Sequence, residues 1–169
     1  MELPASFDPF RAAAVAEEMM GEVAAASFQR LADSVRAILD ETIEVDLRFG
    51  TEAGAKATLH GKLRARVELE CQRCLEPMAY PLEADIHLAF IRYEAEQEGL
   101  PEELEPLLVE GDGLDLRALV EDELILALPL VPMHPQICRK WQDPEAKTDA
   151  AEPEKENPFS VLAKLKQDN

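Results

Sequence analysis

From Ala55 to Cys71 every odd position is small or apolar, while every even position from Lys56 to Glu70 is polar. A period of two sustained over that length demands a β-strand with one buried and one wet face, because a helix would scatter the same residues around its circumference. A second alternation follows at Met78, Tyr80, Leu82, Ala84, Ile86, Leu88 and Phe90. The simplest joining of the two is an antiparallel hairpin whose tip is Cys71-Gln72-Arg73-Cys74-Leu75-Glu76-Pro77. The first run exceeds the usual strand length, which predicts a bend, bulge or break near Gly61, and Pro81 belongs on an edge or at a bulge.

The flanking sequence changes period. Ile43, Val45, Leu47 and Phe49 alternate with polar residues and predict a further strand, closed by a turn over Thr51 to Gly54. Upstream, Asp8-Pro9 is a helix opening, and the Ala- and Glu-rich stretch from Phe10 to Met20 predicts a helix ended by Gly21. Ser27 is placed to cap a second helix with Phe28, Leu31, Ala32, Val35 and Leu39 on one face. Glu94 to Glu105, broken by Gly99 and Pro101, reads as an acidic surface loop; Asp115 opens a helix running to Ala127 and stopped by Pro129. The fold class is thus α+β, one domain over residues 1–142 built on an antiparallel sheet. Residues 143–156, with Pro144, Pro153 and many charges, read as a flexible acidic linker. Residues 157–169 read as a short C-terminal amphipathic helix with Phe159, Val161, Leu162 and Leu165 on its apolar side.

Cys71-x-x-Cys74 at a hairpin tip is the knuckle arrangement by which a tight turn brings two thiolates to one zinc ion. One knuckle supplies half a site. His134 and Cys138, just after the third helix, are candidates for the other half, and the four together would make a closed Cys3His structural centre. Two alternatives stand beside zinc. The thiols can be ordinary small buried or half-exposed residues, as the apolar register of Cys71 allows, with His134 a loop residue. A catalytic dithiol is the other, but such a pair sits between a strand and a helix N-terminus, and here both flanks are β. No Gly-rich phosphate loop and no nucleophile elbow occurs. His60 and His87 fall on polar strand faces and read as solvated, as do Glu121, Asp122 and Glu123, which as consecutive helix residues cannot share one face.

The formal charge of −18 disfavours a general nucleic-acid coat. The charge is nevertheless divided. Arg48 to Cys74 carries a balance of +3, with Lys56, Lys62, Arg64 and Arg66 on one strand face and Arg73 at the tip, whereas Arg92 to Ala127 carries −10. A basic stripe of this kind either contacts RNA phosphates or is a solubilising face paired with acidic neighbours. The acidic side, Glu121, Asp122 and Glu123 included, and the apolar residues Phe159 and Leu162 are candidates for contact with a basic protein. With three cysteines, an acidic start and no apolar run near the ~20 residues of a bilayer span, the expectation is a cytoplasmic protein with reduced thiols and no membrane partner.

Three separated blocks carry a resemblance: Leu69-Glu70-Cys71-Gln72-Arg73-Cys74, then Val120-Glu121-Asp122-Glu123-Leu124-Ile125-Leu126-Ala127-Leu128-Pro129-Leu130-Val131-Pro132, then Asn157-Pro158-Phe159-Ser160-Val161-Leu162-Ala163-Lys164-Leu165-Lys166. In order and spacing they resemble the large ribosomal RNA subunit accumulation protein YceD family, and the likeness runs from Asp8-Pro9 to the end of the chain. The resemblance implies a ribosome-biogenesis role in the synthesis, processing or accumulation of 23S rRNA, in a family not known for enzymes. It implies as partners large-subunit rRNA, a pre-ribosome or a basic ribosomal protein, with no small-molecule substrate. A zinc-stabilised RNA-binding module and a thiol-dependent enzyme are the alternatives.

Overall fold

The computed structural model describes residues 1–111 and 113–138. The linker and terminal helix expected over residues 143–169, Phe159 and Leu162 with them, lie outside the described residues. Nine elements follow in order: α1 (Pro9–Ala14), β1 (Glu18–Ala24), α2 (Gln29–Ser34), β2 (Ala37–Ile38), β3 (Thr42–Glu52), β4 (Ala55–Glu70), β5 (Pro77–Ile91), β6 (Glu105–Leu108) and α3 (Leu116–Leu126). The fold is α+β, as the periodicities require. One six-stranded sheet runs β1-β3-β4-β5-β6, with β2 beside the far end of β4.

The hairpin of β4 and β5 is the spine of this sheet, in register from Thr58↔Ala89 to Glu70↔Pro77. Its alternation sorts cleanly: Leu59, Leu63, Val67, Leu82, Ile86 and Leu88 are buried, with exposed or half-exposed polar residues between them on both strands. The buried face is covered by α1 on β3 and β4, and by α3 on β5, while α2 packs on α3. The opposite, polar face is left open.

β4 runs without the break expected near Gly61; the irregular register falls instead on β3 between Gly50 and Glu52. Gly61 has a packing reason, because a Cβ there would stand 2.8 Å from Leu47 Cδ2 and 3.0 Å from the Asp46 carbonyl. Pro81 sits where the outer side of β5 is unpaired, since β6 bonds only Leu88 to Ile91. Its missing donor therefore leaves no gap in a ladder.

Five expectations are corrected. The first helix ends at Ala14, and Met19, Met20 and Gly21 belong to β1, paired with β3 from Glu18↔Arg48 to Ala24↔Thr42. Asp8, not a downstream signal, defines that helix: its Oδ1 accepts from the N–H groups of Phe10 and Arg11. The second helix covers only Gln29–Ser34, with Phe28 rather than Ser27 at its cap, and the chain then extends into β2. The acidic loop forms a 3₁₀ turn at Glu94–Gly99 and ends in β6, which pairs with β5 in parallel, so the sheet is mixed. Glu121 is buried rather than solvated. It accepts from the backbone N–H groups of Arg30 and Leu31 and pairs with the Arg30 guanidinium, joining α2 to α3. The Asp115 cap of α3 is as expected, its Oδ1 accepting from Ala118 N–H.

Candidate metal centre

The tip that joins β4 to β5 folds tightly on its own backbone. Cys71 N–H donates to the Glu76 carbonyl at 3.0 Å and Leu75 N–H to the Cys71 carbonyl at 2.8 Å, with Leu75 at φ +64° to reverse the chain. A turn of this shape directs successive N–H groups at the first cysteine. Below it passes a strap, the segment of residues 129–138 that follows α3, tied by Gln72 N–H to the Pro132 carbonyl at 2.8 Å. Arg73 does most of the fastening: its guanidinium donates to the His134 and Gln136 carbonyls, and its Nε lies 3.1 Å from Cys138 Sγ.

Together the two segments gather Cys71, Cys74, His134 and Cys138, whose ligand atoms all lie within 4.8 Å of one another. Cys71 Sγ is 3.7 Å from Cys138 Sγ, and Cys74 Sγ is 3.4 Å from His134 Nδ1. A tetrahedron with zinc–sulfur bonds of about 2.3 Å and zinc–nitrogen bonds of about 2.1 Å has edges of ~3.8 Å between sulfurs and ~3.6 Å between sulfur and nitrogen. The donor set and these two edges fit a four-coordinate metal ion. Such a centre is closed, with no position left for a substrate or reactive water.

Electrostatics agree with the geometry. Burial works against a charged Cys71 sulfur, yet the N–H groups of His134, Cys74 and Arg73 aimed at it outweigh burial and bring its pKa down to about 5. Cys138 is likewise lowered, the partial desolvation of its sulfur at the tip being outweighed by the Arg73 guanidinium. The Glu76 N–H favours a Cys74 thiolate, but burial and the neighbouring sulfurs push Cys74 up. His134 is raised by its bonds to Cys71 and then Cys138. Two of the four donors, Cys71 and Cys138, are thus favoured as thiolates, and a dication binding there would displace protons from Cys74 and His134. Cys71 is fully buried, Cys74 and His134 half-buried and Cys138 exposed, so the site is reached from the strap side.

The other candidate residues are distributed differently. Lys62, Arg64 and Arg66 share the open sheet face, as their parity requires, but each has a carboxylate partner: Asp85 for Lys62, Glu44 and Glu83 for Arg64, and Asp40 for Arg66. Lys56 meets Glu96. Arg66 holds the Asp40 carboxyl below its usual range through a side-chain hydrogen bond. Arg73 does not join the stripe, being turned onto the strap. Of the acidic trio, Glu121 and Asp122 both bind Arg30, and Glu123 is raised by burial and then by the charge of Glu105. The role of Arg73 as fastener carried no sequence signal, since nothing in its neighbourhood foretells which loop passes beneath it.

Comparison with known proteins places the chain. Residues 59–166 match the sequence model of the family described as large ribosomal RNA subunit accumulation protein YceD. A protein of that name from Haemophilus influenzae is 38% identical over 171 residues, covering 99% of this chain and 98% of its own length. The chain belongs to the YceD family. No solved structure is matched. The match to the YceD family spans the knuckle, α3 and the strap together, so both halves of the candidate metal centre fall within it. Among the described residues no helix is long and apolar enough to cross a membrane.

Proposed function

We propose that this protein is a non-catalytic factor for the accumulation of large-subunit 23S rRNA in bacterial ribosome biogenesis, acting in the cytoplasm, with a structural zinc ion pinning the strap to the hairpin tip. The observation that carries the role is near full-length likeness to a relative named for that accumulation. The closed character of the Cys3His set supports a structural rather than a catalytic metal.

Within this role the partner is a basic large-subunit protein rather than naked RNA. The cations of the stripe are already engaged by carboxylates, whereas Glu94, Glu98, Glu102, Glu103 and Glu110 are exposed and without an ion-pair partner among the described residues. Glu121 and Asp122, engaged by Arg30, drop out of that surface, and Glu123 lies at its half-buried margin. Such a face shields a basic protein until rRNA displaces it, and its hold weakens with salt. Deleting the gene should lower the ratio of 23S to 16S rRNA, and the wild-type gene should restore it. Pull-down with this protein should recover large-subunit proteins at low salt and lose them at high salt. Normal rRNA ratios in the deletion strain would refute the role. Crosslinking to 23S rRNA that vanishes on charge reversal of Lys62, Arg64 and Arg66 would replace the protein partner with RNA.

A further inference from the structure

A second group of ligand-type side chains stands on the open sheet face, away from the four-ligand apex. His60 on β4 and His87 on β5 are register partners, and their Nδ1 atoms are 3.0 Å apart with the ring planes at 70°. The Glu52 carboxylate, brought round by the β3–β4 turn, meets Nε2 of His60. That contact fixes His60 as an Nε2–H donor and leaves its Nδ1 lone pair directed at His87. Both rings border a shallow cavity shared with Asp46, Arg48, Lys62 and Asp85. The two cations there are answered, Arg48 by Asp46 Oδ2 at 2.9 Å and Lys62 by Asp85 at 3.1 Å. Asp46 Oδ1, by contrast, is buried with no hydrogen-bond partner among the described residues, a condition that calls for water or an ion nearby.

We propose that His60 and His87 chelate a divalent transition-metal ion of the borderline class, such as nickel, copper or zinc, through their Nδ1 atoms, with Glu52 orienting His60 from the far side of its ring. Metal–nitrogen bonds of about 2.0–2.1 Å drawn from two atoms 3.0 Å apart enclose an angle of about 94°, which suits two adjacent positions of a square-planar or octahedral ion. Binding requires that the proton on His87 Nδ1 move to Nε2 of the same ring and that the two rings tilt so their Nδ1 lone pairs converge beside the line that now joins them, with net charge on the protein unchanged. Asp46 and Asp85 balance Arg48 and Lys62 around the cavity, and the Glu52 carboxylate behind His60 adds a negative charge that favours a cation on the ring's other nitrogen. Water completes the coordination, and Asp46 Oδ1 is an acceptor for one such water. The carboxylate behind a ligating imidazole is the arrangement by which proteins raise ligand basicity and hold ring orientation.

The chain has three histidines, and only His134 belongs to the apex, so imidazole spectra separate the two sites. Tag-free protein, loaded with zinc and desalted, is titrated with Ni(II) by calorimetry and by NMR. One further equivalent should bind, with paramagnetic broadening centred on His60 and His87 and zinc content unchanged. His87→Ala and His60→Ala should each weaken Ni(II) binding at least about tenfold, and Glu52→Gln about tenfold, each variant keeping its thermal midpoint within a few degrees. Unaltered Ni(II) affinity in His87→Ala, or broadening centred on His134 with release of zinc, would overturn the proposal.

Discussion

The two turns that bracket β4 are closed by different physics. At one end Glu52 faces Ala55 across Ala53-Gly54, and the buried apolar residues Ala55, Ala89 and Leu104 pack beside it. Gly54 adopts φ +87°, and a Cβ there would fall 2.4 Å from the Gly99 carbonyl, so backbone shape and close approach both demand glycine. At the other end only Cys71 of the tip is buried, and the strap beneath it leaves Leu130, Val131 and Ile137 in solvent. Apolar burial cannot hold that end. It is held by N–H groups aimed at sulfur and by the Arg73 guanidinium, and the proposed zinc ion would add a bond to all four ligands at once. On that proposal one end of the sheet is folded by the chain's own packing and the other by ligand chemistry.

Removing the metal should separate the two ends most sharply. Under a strong chelator, proteolytic cleavage within residues 130–138 should rise at least about tenfold while the sheet keeps its far-UV signal, because only the strap loses its anchor. Loss of the sheet signal together with the strap would break the distinction. On the packed side, Glu121→Ala leaves the N–H groups of Arg30 and Leu31 without their acceptor and should cost about 3 kcal/mol, a fall in Tm of about 6–12 °C, with zinc content unaffected. Gly54→Ala should cost about 2 kcal/mol in denaturant titration for the steric and backbone reasons above. Smallest is Leu75→Gly, which relieves a left-handed φ of +64° at the apex and should stabilise the metal-bound protein by about 0.5–1 kcal/mol. A destabilisation there would mean that the Leu75 side chain, 60% exposed, packs on something at the apex after all.

What could be read from sequence follows the same division. β4 and β5 were legible because burial on one face enforces a two-residue period, and the placement of Cys71 and Cys74 at the hairpin tip followed from the same alternation. β1 was not: only Val23 of Glu18–Ala24 is buried, so an edge strand with almost no buried face shows no alternation, and its Ala, Glu and Met neighbours favour helix. β6 is four residues with Pro106 inside, too short for any period. Glu121 carried a faint signal, since it lies three residues before the buried Leu124, on the core side of α3. The rule that Glu121, Asp122 and Glu123 cannot share a face was sound, and it left room for one of them to face inward, as Glu121 does. The basic stripe was placed on the right face, but its partners come from β3, β5 and the loop before β3, and no local pattern announces cross-strand ion pairs. That His134 and Cys138 lie beside the tip was reachable only through chemistry, by matching an unpaired knuckle with the remaining cysteine and a histidine four residues before it.

Zinc content decides between an apex built by ligands and one built by packing. Protein from zinc-replete cells, purified and gel-filtered without chelator, should carry one zinc per chain, and Cys74→Ser should carry none. Metal-free wild-type protein whose strap resists protease as firmly as the sheet would contradict it.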